Sequence, residues 1–140
     1  MGIRFEKAHS IKIQLGDEQW KMISSPDNIS RALQHDNIIG FDIYDVELLV
    51  GFAMLRRYSD EGWFLWDYAI DRRFQNMSYG QKALLALIVY MKQTYYATEI
   101  STTYIWGNSH AKYVYEKVGF VETDIVDEED CHEVNMVYSI

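Results

Sequence analysis

Residues 62–71, Gly-Trp-Phe-Leu-Trp-Asp-Tyr-Ala-Ile-Asp, are apolar along almost their whole length, and their aromatic and branched side chains favour strand over helix. A strand with apolar side chains on both faces must be covered on both faces, so this one is expected at the middle of a sheet. One acid, Asp67, interrupts it, and an acid in a buried strand needs a partner or a purpose. After a polar, basic stretch, Ala83, Leu84, Leu87, Ile88 and Met91 recur at helical spacing, which predicts an amphipathic helix over residues 80–94 packed on that sheet. With 140 residues, 49% of them hydrophobic, the chain can build one such core and not two, so residues 1–140 are read as a single domain.

The rest of the chain supplies the neighbours. Residues 4–15 can form a first strand, and residues 17–23 and 26–36 read as two short helices, the second opened by the capping pair Ser25 and Pro26. Residues 37–45 and 46–58 look like antiparallel strands joined by a tight turn near Asp45. Beyond the long helix, residues 99–106 return to strand character, residues 108–118 form a capped helix closed by Gly119, and residues 120–126 and 131–140 complete the sheet. The expected order is β, α, α, β, β, β, α, β, α, β, β, an α/β chain of the α+β kind with about seven strands.

Composition narrows the function. A formal charge of −8 disfavours nucleic acid and anionic membrane as partners and favours cationic small molecules. No apolar run approaches the roughly 20 residues that cross a bilayer, and the one cysteine, Cys131, cannot make an internal disulfide, which together fit a soluble protein of a reducing cytoplasm. His9, His35, His110 and His132 are scattered without metal-ligand spacing, so no metal is expected, and residues 127–133 read as a solvated acidic hairpin. Neither a Gly-Lys-Ser/Thr loop nor a G-x-G-x-x-G fingerprint is present.

The junction between the central strand and the long helix is where a ligand is expected. A helix N-terminus presents unpaired amide hydrogens and the positive end of its dipole, which suits phosphate, and Arg72, Arg73 and Lys82 add positive charge nearby.

Residues 75–80, Gln-Asn-Met-Ser-Tyr-Gly, followed by an apolar helix and then by residues 108–120, Asn-Ser-His-Ala-Lys-Tyr-Val-Tyr-Glu-Lys-Val-Gly-Phe, resemble the GNAT superfamily of N-acetyltransferases, and most of all its polyamine and diamine branch. The second segment carries the family's Asn, Ala, Tyr, Gly and Phe at Asn108, Ala111, Tyr115, Gly119 and Phe120. The first carries Gln75 and Gly80 of the Q/R-x-x-G-x-G/A signature, but Ser78 stands where the first glycine is usual, and Asn76 also replaces a frequent glycine.

The resemblance implies a mixed, mostly antiparallel sheet with a splayed central strand pair, and acetyl-CoA as donor. The pantetheine arm would pair with the strand around Tyr68, Ala69 and Ile70. The diphosphate would be held by main-chain amides of Gln75, Asn76, Met77 and Ser78 and, at the helix start, of Tyr79, Gly80, Gln81 and Lys82. Asn108 would be an N-cap or a CoA contact, Ala111 would leave room beside the next turn, and Tyr115 would be the general acid toward the sulfur. Asp67 is expected to bind the ammonium groups of a small amine or help deprotonate one, with Trp66 lining the same pocket. A homodimer is a family-level expectation. Two other readings stay open: a non-catalytic CoA-binding module whose glycine loop has drifted, and an acetyltransferase for a protein or antibiotic amine.

Overall fold

The structure, a computed structural model, describes residues 2–140. Its strands are β1 (Ile3–Ala8), β2 (Ile38–Asp45), β3 (Leu48–Arg57), β4 (Gly62–Ile70), β5 (Glu99–Ile105), β6 (Val121–Glu128) and β7 (Cys131–Ser139). They form one seven-stranded sheet in the order β1-β2-β3-β4-β5-β7-β6, in which only the β4–β5 pair is parallel. The helices are α1 (Asp17–Trp20), α2 (Pro26–Ala32), α3 (Tyr79–Tyr95) and α4 (Ser109–Val118), with a 3-10 turn at Arg72–Phe74. The element order is the one expected, and the apolar run at residues 62–70 is indeed the middle strand of a mixed α+β sheet.

The first strand is shorter than the sequence suggests. It leaves the sheet after Ala8, and Ile13 and Leu15 bury themselves instead in the layer formed with α1 and α2. That layer covers one face of the sheet through Ile29, Phe52, Met54 and Ala69. The other face is covered by α3, through Leu84, Leu87, Ile88 and Met91, and by α4, through Val114, Tyr115 and Val118. The sheet thus lies between two apolar layers, and burial of these side chains is the main term holding the three together.

Two irregularities in β4 make the site. Met54 of β3 pairs with Asp67 and Leu55 pairs with Leu65, so Trp66 is an extra residue without a partner, a β-bulge. Strict alternation would put Asp67 on the same face as Trp63 and Leu65, inside the core under α3. The bulge turns it to the α1–α2 face with Met54, and turns Tyr68 and Ile70 toward α3. The second irregularity is that β4 and β5 pair only from Gly62↔Glu99 to Leu65↔Thr102, where the Thr102 hydroxyl donates to the Leu65 carbonyl at 3.0 Å. Beyond that point the strands part.

Glycine is required at the end of α4. Gly119 has φ +124, and a β-carbon there would lie 2.9 Å from Cε2 of Tyr138, so both conformation and space exclude a side chain.

Candidate active site

Where β4 and β5 part, a cleft of about 590 Å³ opens. One wall is the end of β4, with Tyr68, Ala69 and Ile70; another is the loop and start of α3, with Gln75, Asn76, Ser78, Tyr79, Gly80 and Gln81. The first turns of α4 supply Asn108, Ala111 and Tyr115. The residues expected from two separate motifs are therefore brought to one place. Met77 and Lys82 point elsewhere and are exposed, and Asp67 and Trp66 do not line the cleft.

The main-chain groups of β4 are oriented by its pairing. The Asp71 N–H donates to the Val50 carbonyl of β3 at 2.8 Å, so by alternation Ala69 also bonds toward β3, while the groups of Tyr68 and Ile70 face the gap. The Ile70 carbonyl there accepts the side-chain amides of Gln19 at 2.8 Å and Gln75 at 3.4 Å. An extended ligand has main chain to pair with on this edge.

Two helix N-termini open on the cleft. In α3 the first backward bond runs from Lys82 N–H to Ser78 O (3.1 Å), which leaves the amides of Tyr79, Gly80 and Gln81 ahead of it. Asn76 and Ser78 both stand in the left-handed region, with φ 61 and 66. They adopt the conformation that glycine would supply without strain, which places the loop amides despite the substituted glycines. In α4 the Asn108 side chain accepts the Ala111 amide at 3.2 Å, so Asn108 is an N-cap and a cleft residue at once. The two positive helix ends, facing one concavity, suit a diphosphate.

The basic residues are arranged differently from the expectation. Arg73 folds back on the buried Asp71, with Nε 3.0 Å from one carboxylate oxygen and Nη2 3.0 Å from the other, and Arg72 reaches the Gln14 side chain. Burial would raise the Asp71 pKa, but the bonds from Arg73 and from the Gln14 and Arg73 amides outweigh it and hold the carboxyl at about 2. These charges fasten the end of β4 to the loop before α1 and do not line the cleft.

Tyr115 is buried, and burial pushes its phenol above the ordinary value; the Thr102 hydroxyl pulls it down and the charge of Asp67 pushes it further up. It therefore keeps its proton at neutral pH. Tyr68 lies well above the ordinary value, again through burial and then through Tyr115, and its hydroxyl donates to the Gly80 carbonyl at 2.6 Å.

Asp67 differs from the other buried acids. Asp42 is ion-paired with Lys12 at 2.8 Å, and Asp71 with Arg73. Asp67, 4% exposed, takes only the Ser24 main-chain N–H at 3.1 Å on Oδ1, and its Oδ2 is buried without a partner. Burial raises its pKa, with the Ser24 amide and hydroxyl opposing. Of the tryptophans, Trp63 is core, Trp20 at the end of α1 packs against the apolar layer on that face of the sheet, Trp66 is 43% exposed at the bulge, and Trp106 lines a separate hollow of about 310 Å³ beside α4.

The wall facing α4 was not legible from sequence. It consists of Glu18, Gln19, Met22 and Ile23 from α1 and the turn after it, and α1 is only four residues long. His110, Tyr113 and Val114 also line the cleft; Val114 stands three residues after Ala111, which was the available signal for it, and nothing in the spacing pointed to His110 or Tyr113. Among the described residues no three His, Cys, Asp or Glu side chains gather as metal ligands, and no helix is long and apolar enough to cross a membrane.

Comparison with known proteins adds a family and a set of like folds. No curated protein matches the chain by sequence. A GNAT acetyltransferase from Elizabethkingia anophelis with acetyl-CoA bound has the same fold (TM-score 0.75, 16% identity, 99% of this chain and 98% of that one). So has a Bacillus subtilis acetyltransferase in complex with CoA (TM-score 0.72, 16% identity, 99% of each chain). The spermidine N-acetyltransferase of Vibrio cholerae in complex with CoA and spermine follows (TM-score 0.68, 17% identity, 83% of this chain and 76% of that one). At such identities the likeness is one of fold. The sequence itself matches the acetyltransferase (GNAT) family over residues 6–120, and on that match the chain belongs to the GNAT family of acetyltransferases.

Proposed function

We propose that this acetyltransferase moves an acetyl group from acetyl-CoA to a primary amine of a small cationic molecule, a polyamine or diamine. The single observation that carries the substrate class is Asp67: a buried carboxylate behind the cleft lining, with one oxygen unpaired and no cation beside it, whose charge pushes the Tyr115 phenol up. A buried charge of this kind is costly unless a cation arrives to pair with it. The −8 charge of the chain and Glu18 at the cleft favour the same class of acceptor.

The residues present fit the donor. Tyr68 and Ile70 offer main chain to a pantetheine arm, the amides at residues 79–81 and the N-terminus of α4 offer donors to a diphosphate, and Asn76, Ser78 and Asn108 give the cleft a neutral polar lining. Acetyl-CoA, when bound, supplies an acetyl group already activated as a thioester. An acceptor whose ammonium reaches past the cleft lining to the free oxygen of Asp67 would be held there and give up its proton to it, a role the raised pKa suits. Tyr115 keeps a proton at its hydroxyl and gives it to the departing sulfur; the two basicities are comparable, about 10 for a phenol. A cytoplasmic setting fits this chemistry and the lone Cys131.

The test is release of free thiol from acetyl-CoA by the purified protein with spermidine, spermine, short diamines, an aminoglycoside and a peptide with a free N-terminus. Turnover with the diamines and polyamines supports the proposal. Turnover only with the peptide or the aminoglycoside would reassign the acceptor. CoA binding without turnover on any amine would leave a binding module, the reading that the strained residues Asn76 and Ser78 favour.

A further inference from the structure

Left-handed residues other than glycine persist only where their surroundings hold them. The loop before α3 has two, Asn76 and Ser78, and each costs on the order of 1 kcal/mol. The Ser78 side chain makes no capping bond that would offset this. The hold must come from outside the loop.

Two phenols provide it. One is Tyr68, through its bond to the Gly80 carbonyl. The other is Tyr79, the first residue of α3, whose hydroxyl donates to Oδ2 of Asp45 at 2.5 Å. Asp45 ends β2, and no motif in the sequence connects it with the cleft. Its Oδ1 is buried and without a partner, so the bond from Tyr79 is the only one its side chain makes among the described residues. Asp45 is itself fixed, because the turn after it is tied by Val46 N–H to Gly2 O (3.0 Å) and by Arg4 Nε to Val46 O (2.9 Å). The Tyr79 ring also meets Phe74 edge-on, with centroids 6.0 Å apart, so the residues flanking the loop at its two ends touch.

We propose that Asp45 is a positioning residue for the donor-binding loop: through the Tyr79 hydroxyl it holds Asn76 and Ser78 in the conformation that glycine reaches unaided. Its functional consequence rests on the cleft being the acetyl-CoA site. The clamp itself does not, because it acts in the ligand-free protein.

The experiment compares wild type with Y79F, D45A, S78G and the double variant S78G/Y79F, by amide hydrogen exchange without ligand and by calorimetric titration with CoA. Y79F and D45A are expected to speed exchange at residues 77–82 about tenfold and to weaken CoA about tenfold, the loss of one charge-assisted hydrogen bond. The KM for acetyl-CoA should rise by the same factor with kcat at saturating donor nearly constant. S78G should recover part of both exchange protection and affinity in the double variant, because glycine at 78 does not need the hold while Asn76 still does. Exchange in Y79F and D45A equal to wild type would overturn the clamp, and so would a double variant no better than Y79F. If Y79F loses stability throughout, D45A, which leaves α3 intact, decides. Wild type that fails to bind CoA would remove the donor site, while the exchange comparison would still judge the clamp.

Discussion

One oxygen of Asp67 is bonded to the Ser24 main-chain amide, and the other is sealed from water with nothing to bond to. Burial raises the pKa of this acid above 3.8. The folded state therefore binds the proton more tightly than the unfolded one. That favours folding below the unfolded value and is lost as pH rises through the raised one. Above that raised value the charge on Asp67 works against the fold.

Asp67→Asn should accordingly melt at the same temperature as wild type or higher at pH 7.5, with the difference vanishing at acid pH, while acetylation of amines falls at least about tenfold. Thermal melts at several pH values and amine kinetics measure the two effects. A variant that is destabilised yet turns amines over normally would make Asp67 a structural acid.

Tyr115→Phe keeps the ring in the core and removes the hydroxyl. It should lower kcat by about 100-fold or more, and change CoA affinity by no more than about twofold. Stopped-flow turnover together with calorimetry separates the two, and an unaltered kcat would strip Tyr115 of its acid role.

Asp71→Asn tests the fastening of β4 to the loop before α1. The Asp71 carboxyl sits at about 2 against an ordinary 3.8, so its contribution is whole above 3.8 and fades as pH falls toward 2. Its partner Arg73 is more than half exposed, which screens the pair. The expected loss at pH 7 is about 1–2 kcal/mol by urea unfolding, shrinking between pH 4 and pH 2. A constant difference across that range would assign the loss to packing.

Deleting Trp66 should cost no more stability than truncating it. Truncation trims an exposed side chain, and deletion takes out the bulge residue and joins Leu65 directly to Asp67, which restores alternation and keeps the two opposite Leu55 and Met54 on the faces they now occupy. Thermal melts of the two variants followed by circular dichroism give the comparison, and a deletion variant less stable than the truncation by about 3 kcal/mol would mean that the bulge itself holds Asp67 in place.

Much of this arrangement was legible in the order of residues. The apolar stretch ending at Ile70 announced the middle strand, the periodicity of Ala83, Leu84, Leu87, Ile88 and Met91 announced α3, and Asn108 and Gly119 marked the ends of α4. What was hidden had physical reasons. A bulge inside an all-apolar run changes no residue type, so Trp66 gave no sign that Asp67 and Leu65 face opposite ways. Arg73 lies two residues from Asp71, and a nearby buried carboxylate outcompetes a distant ligand for a guanidinium. The Gln19 wall rests on a helix of four residues, too short for any period to show, and Asp45 meets Tyr79 across 34 positions of chain.

The short ladder between β4 and β5 sets a limit on how this protein could be improved. Substitutions that extended the pairing past Leu65 and Thr102 would add hydrogen bonds and raise thermal resistance, and would zip shut the cleft proposed for the two reactants. Robustness and the proposed catalysis draw on the same short stretch of main chain, so a search for hardier variants should spare that seam and work on the outer strands.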